Sequence, residues 1–452
     1  MDGDLREARS PSDAAGDRHG RAAGTLHRAS LDGNPASPAA QGRPRLLFLA
    51  HRIPYPPDKG EKIRAWHILD HLAERFAVEA GFLVDDPADL AHLPVLERRC
   101  AAVFWRPALS RMQVTARALL RARPGRPLTL GWFHDPALHA WAQAGLAAGR
   151  YDAVFVYSSA MAPYAMGPAA RRPGLIRVLD MVDVDSEKWR AYAAAARPLM
   201  ARVYAREART LLAFERRAAR EFDHTLFVSA EEAQHFAALA PDCADRLGFV
   251  DNGVDLARFD PARDYPNPYA GDAPAIVFTG TMNYRPNVDA VTWFAEEVLP
   301  LLRASPPAGI APPEFHIVSA SPAPAVQALA ARAGVRVTGA VPDVRPYVAH
   351  AAVSVAPLRI ARGIQNKVLE AMALARPVVV SPQAFEGVRA LPGRDLLVAD
   401  GAAEMAARVA EVLAGRHPGL GAAGRAAVAA GHDWAATLSG LDAMLGRRTV
   451  PA

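Results

Sequence analysis

Short apolar runs alternate with longer segments of helical periodicity over most of the chain. A short apolar run bounded by turn-forming residues is typical of a strand buried on both faces. Such strands, when helices separate them, form βαβ units around a mainly parallel sheet. The pattern therefore predicts an α/β fold, with strands at residues 45–50, 78–84, 102–105, 153–157, 176–182, 225–229, 276–279, 315–319, 335–338, 353–357, 378–381 and 396–399.

The runs fall into two halves of comparable size, separated by a proline-rich stretch. A long helix is expected at 198–222, because Pro198 suits a first helical turn. An amphipathic segment at 432–445 is expected to form the last helix. The predicted organisation is a disordered tail at 1–43, an N-terminal domain at 44–255, a linker at 256–274, a C-terminal domain at 275–430, and a final helix and tail at 431–452.

Composition narrows the class of protein. Half of the 452 residues are hydrophobic, which fits folded α/β domains rather than disorder. There is no apolar stretch of about 18 residues, so no membrane span is predicted, and the polar N-terminus predicts no signal peptide. Cys100 and Cys243 lie far apart, which favours a reducing cytoplasm over a disulfide scaffold or a zinc site.

Two segments are rich in arginine. Residues 106–126 carry six arginines and no acid, and residues 197–220 carry seven against Glu207 and Glu215. These segments are interpreted either as solvated helix faces or as a surface for anionic lipid head groups. Nucleic-acid binding has less support, because no aromatic-rich basic strand or recognition-helix pattern accompanies the charge.

Lysine is rare. Of 52 basic residues only Lys59, Lys62, Lys188 and Lys367 are lysines. Arginine serves wherever a general positive charge suffices, so each remaining lysine indicates a position that needs a compact ammonium group.

The strongest candidate segment, residues 356–373, leaves a strand and enters a helix. Its apolar positions follow helical spacing, and Gly363, Lys367 and Glu370 are predicted to share a second helix face. A helix N-terminus offers free N–H groups to a phosphate, and Lys367 would add a full charge. Glu370 is suited to accept hydrogen bonds from sugar hydroxyls. The alternative is an exposed Lys–Glu pair without function.

Two further loops could approach a ligand. In residues 278–287, Gly280 permits close backbone approach and Arg285 is suited to grip a phosphate. In residues 56–62, Gly60 precedes a helix, with Lys59 or Lys62 supplying charge. Neither loop is a Walker-type phosphate loop, and the sequence has no G-x-S-x-G elbow or paired histidines, so ATP hydrolysis, esterase and metallohydrolase chemistry have no support.

Asp183 and Asp185 follow a predicted strand. Their spacing admits a metal site, but helix capping around Ser186 or a polar lining of a cleft is the preferred interpretation.

Several of these segments, in their order along the chain, resemble the family 4 glycosyltransferases of the GT-B fold. They are Asp251-Asn-Gly-Val-Asp255, the loop at Gly280, Val337-Thr-Gly-Ala-Val-Pro-Asp343 and Lys367-Val-Leu-Glu-Ala-Met-Ala373. More narrowly, residues 51–60, 183–189 and 362–367 resemble sugar transferases associated with the exosortase (PEP-CTERM) exopolysaccharide system. The resemblance implies two Rossmann-like domains with parallel sheets facing a central cleft, and a C-terminal helix that can cross back to the N-terminal domain.

The resemblance also implies a retaining transfer from a nucleotide-diphosphate sugar to a polyprenyl-linked or polysaccharide acceptor. No metal or other cofactor is expected. The protein would act in the cytoplasm or at the inner face of the inner membrane. The acceptor would lie in the N-terminal domain and the donor in the C-terminal domain. The implied residues are catalytic Arg285, Lys367 and Glu370; donor-binding Gly280, Asn283, Gly339, Val341, Arg362, Gly363, Ile364, Gln365 and Asn366; and, on the acceptor side of the cleft, Lys59, Gly60, Lys62, Asp183 and Asp185.

Two departures from the family's pattern leave alternatives open. Arg362 stands where many members have the first of two glutamates, the second being Glu370, and a histidine often seen in the cleft is absent from residues 180–186. Asp183 or Asp185 would replace part of that histidine's role. The alternatives are a sugar-nucleotide epimerase of the same fold, or a non-catalytic nucleotide-sugar-binding scaffold at the membrane.

Overall fold

The computed structural model describes residues 42–58, 60–108, 113, 125–319, 322–361 and 363–446. Apart from residues 42 and 43, the predicted tail lies outside this part of the chain. The described residues form two parallel sheets, one in each half, with helices packed on both faces.

The N-terminal sheet has seven strands in the order β3-β2-β1-β4-β5-β6-β7. The strands are β1 (Arg45–Ala50), β2 (Ala77–Val84), β3 (Ala102–Pro107), β4 (Ala153–Tyr157), β5 (Ile176–Val182), β6 (His224–Phe227) and β7 (Leu247–Phe249). The helices are α1 (Gly60–Arg75), α2 (Leu93–Arg99), α3 (Thr129–Trp132), α4 (Pro136–Ala147), α5 (Asp185–Ala195), α6 (Pro198–Glu221) and α7 (Ala230–Leu239).

Strand β1 shows why short apolar runs in the sequence predicted these strands. Leu47 and Leu49 pack into one apolar cluster, whereas Leu46, Phe48 and Ala50 pack into another on the opposite face. Because helices cover both faces of the sheet, the central strands are mainly apolar on both sides.

The C-terminal sheet has six strands in the order β10-β9-β8-β11-β12-β13. The strands are β8 (Ala275–Thr279), β9 (Glu314–Val318), β10 (Val335–Gly339), β11 (Val353–Ala356), β12 (Val378–Val380) and β13 (Leu397–Val398). The helices are α8 (Arg285–Trp293), α9 (Leu299–Ala304), α10 (Pro324–Ala328), α11 (Arg345–His350), α12 (Asn366–Ala373), α13 (Pro382–Phe385), α14 (Ala402–Leu413), α15 (Leu420–Gly431) and α16 (Trp434–Leu445). Shorter helical turns lie at Pro87–His92, Ser159–Ala165, Pro168–Ala170, Pro241–Arg246, Phe294–Val298 and Leu329–Ala331.

The last helix crosses back to the N-terminal domain, as predicted. Trp434, Leu438 and Leu441 of α16 are buried in the apolar cluster of α1 and the N-terminal sheet. The Trp434 ring also stacks on His67 of α1, with ring centroids 4.7 Å apart. The two domains are thus joined twice, once by the chain after β7 and once by the chain before α16.

The structure differs from the prediction in two details of secondary structure. Strand β7 was missed, because Leu247–Phe249 is a short edge strand that is incompletely buried and contains a glycine. Helix α12 begins at Asn366 and not near Gly363. Within the described part of the chain, none of the helices combines the length and the hydropathy that a membrane span requires.

Candidate active site

Helix α12 begins beyond the carboxyl end of β11, after a loop that covers residues 357–365. Val368, Leu369 and Met372 form its buried side, whereas Lys367 and Glu370 are only partly buried. The prediction that Gly363 shares a helix face with these two residues was wrong. Gly363 lies in the loop before the helix, and its φ of 64° is a left-handed conformation that a right-handed helix does not contain.

Lys367 lies over the end of the neighbouring strand β8. Its Nζ donates a hydrogen bond to Asn287 Oδ1 at 2.7 Å and lies 4.4 Å from the centroid of the Phe278 ring. Burial lowers the pKa of Lys367 to about 7, and the nearby Glu370 opposes that shift. A lysine held in this way takes up a proton readily when an anion arrives.

Gly280 permits this arrangement. A Cβ atom at this position would lie 2.8 Å from Asn287 Nδ2 and 3.4 Å from Lys367 Nζ. Asn287 Nδ2 in turn donates to the carbonyl oxygen of Thr281 at 3.0 Å. The loop after β8, the first turn of α8 and the first turn of α12 are therefore packed around one point. Asn287 was not among the predicted site residues, because only the tertiary contact with Lys367 reveals it.

Glu370 lies one turn further along α12. Burial raises its pKa to about 7, against the opposing charges of Arg258 and Lys367. An acid with this pKa can donate or accept a hydrogen bond near neutral pH.

The loop before α12 is fixed to its surroundings at two points. Arg359 makes a bidentate ion pair with Asp289 of α8, at 3.0 and 2.6 Å, and its guanidinium lies over the Trp293 ring. Ser381 Oγ donates to the carbonyl oxygen of Leu358 at 2.5 Å. Such anchoring holds a binding loop in one conformation before a ligand arrives.

The other predicted donor residues are placed as follows. Asn283 and Arg285 are exposed around the start of α8, and Ile364 is buried beside Gly387 in the loop before α12. Gln365 Nε2 donates to the carbonyl oxygen of Gly363 at 3.1 Å. Gly339 ends β10 with a φ of 72° and has open space around its α-carbon, and Val341 follows it, half-buried. Arg362 lies outside the described residues.

The N-terminal domain approaches this site through Gly60 and Val228. A Cβ atom at Gly60 would lie 3.9 Å from Asn366 Nδ2, and one at Gly363 would lie 3.6 Å from Val228 Cγ1. The start of α1 and the end of β6 therefore face the start of α12 across the cleft.

Lys62 does not supply charge to the cleft, contrary to the prediction. Its side chain is 2% exposed, and Nζ bonds to Asp89 at 2.7 Å and lies 3.7 Å from Asp58. An ammonium buried between two carboxylates stabilises the local fold and is not free for a ligand. Lys59 lies outside the described residues.

Asp183 and Asp185 come together with Lys188. Lys188 Nζ lies 2.8 Å from Asp183 Oδ2 and 3.1 Å from Asp185 Oδ1. Ser159 Oγ, at the end of β4, donates to Asp185 Oδ2 at 3.2 Å. Burial raises the pKa of Tyr284, beside Arg285 in the other domain, and the charge of Lys188 opposes that rise. These residues therefore form the N-terminal wall of the cleft opposite α8.

Two acids from other helices fix this wall. Glu215 of α6 is fully buried and accepts hydrogen bonds from Ser186 N and Ser186 Oγ, at 3.1 and 2.6 Å. Glu232 of α7 accepts from Val184 N at 2.8 Å. The sequence suggested that Ser186 caps a helix, but in the structure Ser186 instead donates its N–H and hydroxyl hydrogen bonds to Glu215. Among the described residues, no three His, Cys, Asp or Glu side chains gather as a metal set would.

Comparison with known proteins agrees with this architecture. Residues 273–415 match the family described as "Glycosyl transferases group 1". These residues contain β8 to β13 and α12, and thus the whole donor-side arrangement around Lys367. A search of curated proteins found no match.

Three solved structures illustrate the similarity in fold. HepE from Anabaena, crystallised with UDP and glucose, is 14% identical over 89% of this chain and 99% of its own, with a TM-score of 0.59. Sucrose-phosphate synthase from Thermosynechococcus elongatus is 16% identical over 89% and 98%, with a TM-score of 0.63. WaaG, a glycosyltransferase involved in lipopolysaccharide biosynthesis, is 15% identical over 89% and 100%, with a TM-score of 0.60.

Identities this low establish the fold alone. The chain therefore has the GT-B fold of two facing Rossmann-like domains, and its C-terminal domain is similar to the glycosyl transferases of group 1.

Proposed function

We propose that the protein is a retaining glycosyltransferase that moves a sugar from a nucleotide-diphosphate donor to a lipid-linked or exopolysaccharide acceptor. The observation that carries the proposal is the grouping of Gly280, Asn287 and Lys367 at the amino end of α12, facing Gly60 of the other domain. Open α/β sheets bind ligands at the carboxyl ends of their strands, which is where this group lies.

The donor diphosphate would bind at the first turn of α12. The N–H groups of that turn and the Lys367 ammonium supply positive charge. Arg285, exposed at the start of α8, is free to reach the same phosphates. As the bond between the sugar and the diphosphate breaks, negative charge grows on the leaving nucleotide, and these groups would stabilise that charge more than they stabilise the intact donor.

Glu370 would bind the nucleotide ribose, and the backbone at Gly339 and Val341 would face the base. The loop at 363–366 would line the sugar. UDP bound to HepE makes uracil a first candidate for the base, since the two chains share a fold. The acceptor hydroxyl would approach from the wall of Asp183, Asp185 and Lys188, and attack on the face that the diphosphate leaves would retain the anomeric configuration.

A membrane surface is proposed as the place of action. Helix α6 buries both of its central acids, since Glu207 is 1% exposed and Glu215 0% exposed. Arg197, just before this helix, and Arg202, Arg209 and Arg217 within it are exposed. Next to them, large apolar side chains are exposed in α5 and in the first two turns of α6: Tyr192, Leu199, Met200 and Val203.

Arginines beside exposed aromatic and aliphatic side chains are suited to anionic lipid head groups. Such a surface would bring the cleft to a polyprenyl-linked acceptor at the inner face of the inner membrane. The second arginine-rich segment, 106–126, lies largely outside the described residues.

The proposal is tested with the full chain and a panel of nucleotide sugars. Thermal-shift measurements with UDP-, GDP-, ADP- and dTDP-sugars identify the donor, and release of the nucleoside diphosphate then reports its use. A donor that both stabilises the protein and is turned over supports the proposal. Binding without turnover, with and without a membrane extract as the source of acceptor, would replace it with a non-catalytic scaffold, and conversion of the donor sugar without release of nucleotide would replace it with an epimerase.

A further inference from the structure

Arg64 of α1 is a buried cation that the proposed chemistry leaves unused. It is 1% exposed, and its Nε donates to Asp180 Oδ2 at 2.8 Å. Its Nη1 donates to the carbonyl oxygen of Val250 at 2.6 Å and lies 3.1 Å from Asn252 Oδ1. The other amino group, Nη2, is buried without a hydrogen-bond partner among the described residues.

This arrangement is not explained by stability alone. A buried ion pair repays the cost of removing both charges from water only when the remaining donors are satisfied, and apolar residues of similar volume often serve the fold as well. Nη2 is not satisfied, so a donor is left buried at a cost. The role of Arg64 is therefore sought in the two parts of the cleft that its hydrogen bonds connect.

On one side, Arg64 leads to the wall of the cleft. Its partner Asp180 is 0% exposed and accepts a hydrogen bond from Val182 N at 3.0 Å through Oδ1. Val182 has a φ of 67°, a left-handed conformation that is strained for a β-branched residue. This turn carries Asp183 and Asp185 into the cleft.

On the other side, Arg64 leads to the donor helix. Asn252 lies in the segment that joins the two domains, and its Nδ2 donates to Asn366 Oδ1 at 3.3 Å. Asn366 is the first residue of α12. A chain of hydrogen bonds thus runs from the turn at Val182 through Asp180, Arg64 and Asn252 to the helix that holds the diphosphate.

We infer that Arg64 is a positioning residue, which through Asn252 fixes the start of α12 relative to the turn at Val182 and so aligns the donor and acceptor sides of the cleft. The inference rests on the proposed function, because that proposal identifies one side of the cleft as the donor side and the other as the acceptor side. The contacts themselves do not depend on it.

A double-mutant cycle tests the Asn252–Asn366 link, with UDP and UDP-glucose as probes. We expect Asn252→Ala and Asn366→Ala each to lower UDP affinity by roughly two- to tenfold, the range for one lost hydrogen bond. The UDP affinity of the double variant should be little lower than that of the single variant that binds UDP less tightly, because both substitutions break the same contact. Effects that multiply in the double variant would overturn the link.

A second measurement needs no nucleotide. Arg64→Lys keeps the charge but loses the forked guanidinium that reaches Asn252, so hydrogen exchange at the amides of residues 367–373 should rise. Asn252→Ala should raise exchange at the same amides, although it leaves the buried Arg64–Asp180 ion pair intact. The matched control is Arg389→Ala, which removes the ion pair with Asp251, a residue next to Asn252 but outside the chain of contacts. Unchanged exchange in Asn252→Ala, or an equal rise in Arg389→Ala, would overturn the inference.

The two tests separate two kinds of failure. If UDP does not bind to the wild-type chain, the proposed donor is wrong, and the exchange measurement still decides the role of Arg64. If UDP binds and the exchange at α12 does not respond to Asn252→Ala, the proposed function stands and the positioning role is rejected.

Discussion

At the residue scale, Lys367 carries more of the proposal than any other side chain. It is one of four lysines in the chain, and the structure places its ammonium between Asn287 and the Phe278 ring rather than in solvent. This placement agrees with the expectation, drawn from the scarcity of lysine, that the ammonium of Lys367 is more than a general surface charge, and its role at the donor site stays a prediction. The same argument failed for Lys62, because a buried partner such as Asp89 cannot be recognised from the sequence.

Replacement of Lys367 by alanine should weaken donor use while the fold persists. Loss of one charge-assisted contact to a phosphate costs about 1.5–3 kcal/mol, so kcat/KM for the donor should fall roughly ten- to a hundredfold. The measurement is steady-state turnover, with circular dichroism to confirm folding. Arg336→Ala is the matched control, because it removes an exposed cation of the same domain that pairs with Glu314, the first residue of β9. Activity of Lys367→Ala within twofold of wild type would reject its role.

The pKa of Lys367 leads to a prediction about pH. In the free protein burial lowers this pKa to about 7, so the ammonium loses its proton as the pH rises above 7. A bound diphosphate favours the protonated form and raises the pKa in the complex. Binding of UDP should therefore take up a proton above pH 7, and its affinity should fall by up to about tenfold per pH unit between pH 7 and 9.

Calorimetric titrations in two buffers with different ionisation enthalpies would measure this proton uptake directly. Lys367→Met should abolish it. Glu370→Gln should preserve it, which separates the lysine from the acid whose pKa is raised into the same range. Uptake that persists in Lys367→Met would assign the proton to another group.

At the element scale, the strands could be predicted because burial on both faces leaves an apolar run, which is continuous in β4. The start of α12 could not be predicted to the residue. Apolar spacing continues into the preceding loop at Ile364, which packs beside Gly387, and the left-handed turn at Gly363 lies against Val228 of the other domain. For the same reason Asn287 was missed, since its role exists only where the β8 loop meets α12.

The glycine loop after β8 gives a prediction at this scale. In Gly280→Ala the new methyl group would lie 2.8 Å from Asn287 Nδ2, so Asn287 must move and Lys367 loses its partner. We expect donor affinity to fall by about tenfold or more, the effect of disturbing a charge-assisted hydrogen bond. Gly393→Ala is the control, because its φ of 81° imposes backbone strain but its surroundings are open. Equal loss of donor affinity in both variants, measured by titration with UDP, would mean that general strain and not the contact matters.

At the scale of the whole molecule, the sequence predicted the two domains and the returning helix, but it could not predict which faces are exposed. In the sequence, Glu207 and Glu215 offset two of the seven arginines of residues 197–220. In the structure Glu207 instead accepts hydrogen bonds from Leu128 N and Thr129 N, and Glu215 accepts from Ser186. With both acids turned inward, the outer face of α6 is more cationic than its composition suggests.

This difference leads to a prediction about membrane binding. The full chain should float with vesicles that contain about a third phosphatidylglycerol at low salt, and binding should weaken as salt rises, because screening reduces the attraction between arginines and head groups. Replacing Leu199 and Met200 together by glutamate places two acids on the first turn of α6, where both side chains now face solvent, at 75% and 42% exposure. That variant should bind at most a tenth as well, with its melting temperature and UDP affinity unchanged. Leu301→Glu is the control, since Leu301 is also an exposed leucine but lies on α9 of the other domain. Flotation that is insensitive to salt, or equally weakened by Leu301→Glu, would show that α6 is not the membrane-binding surface and would return its arginines to the role of a solvated helix face.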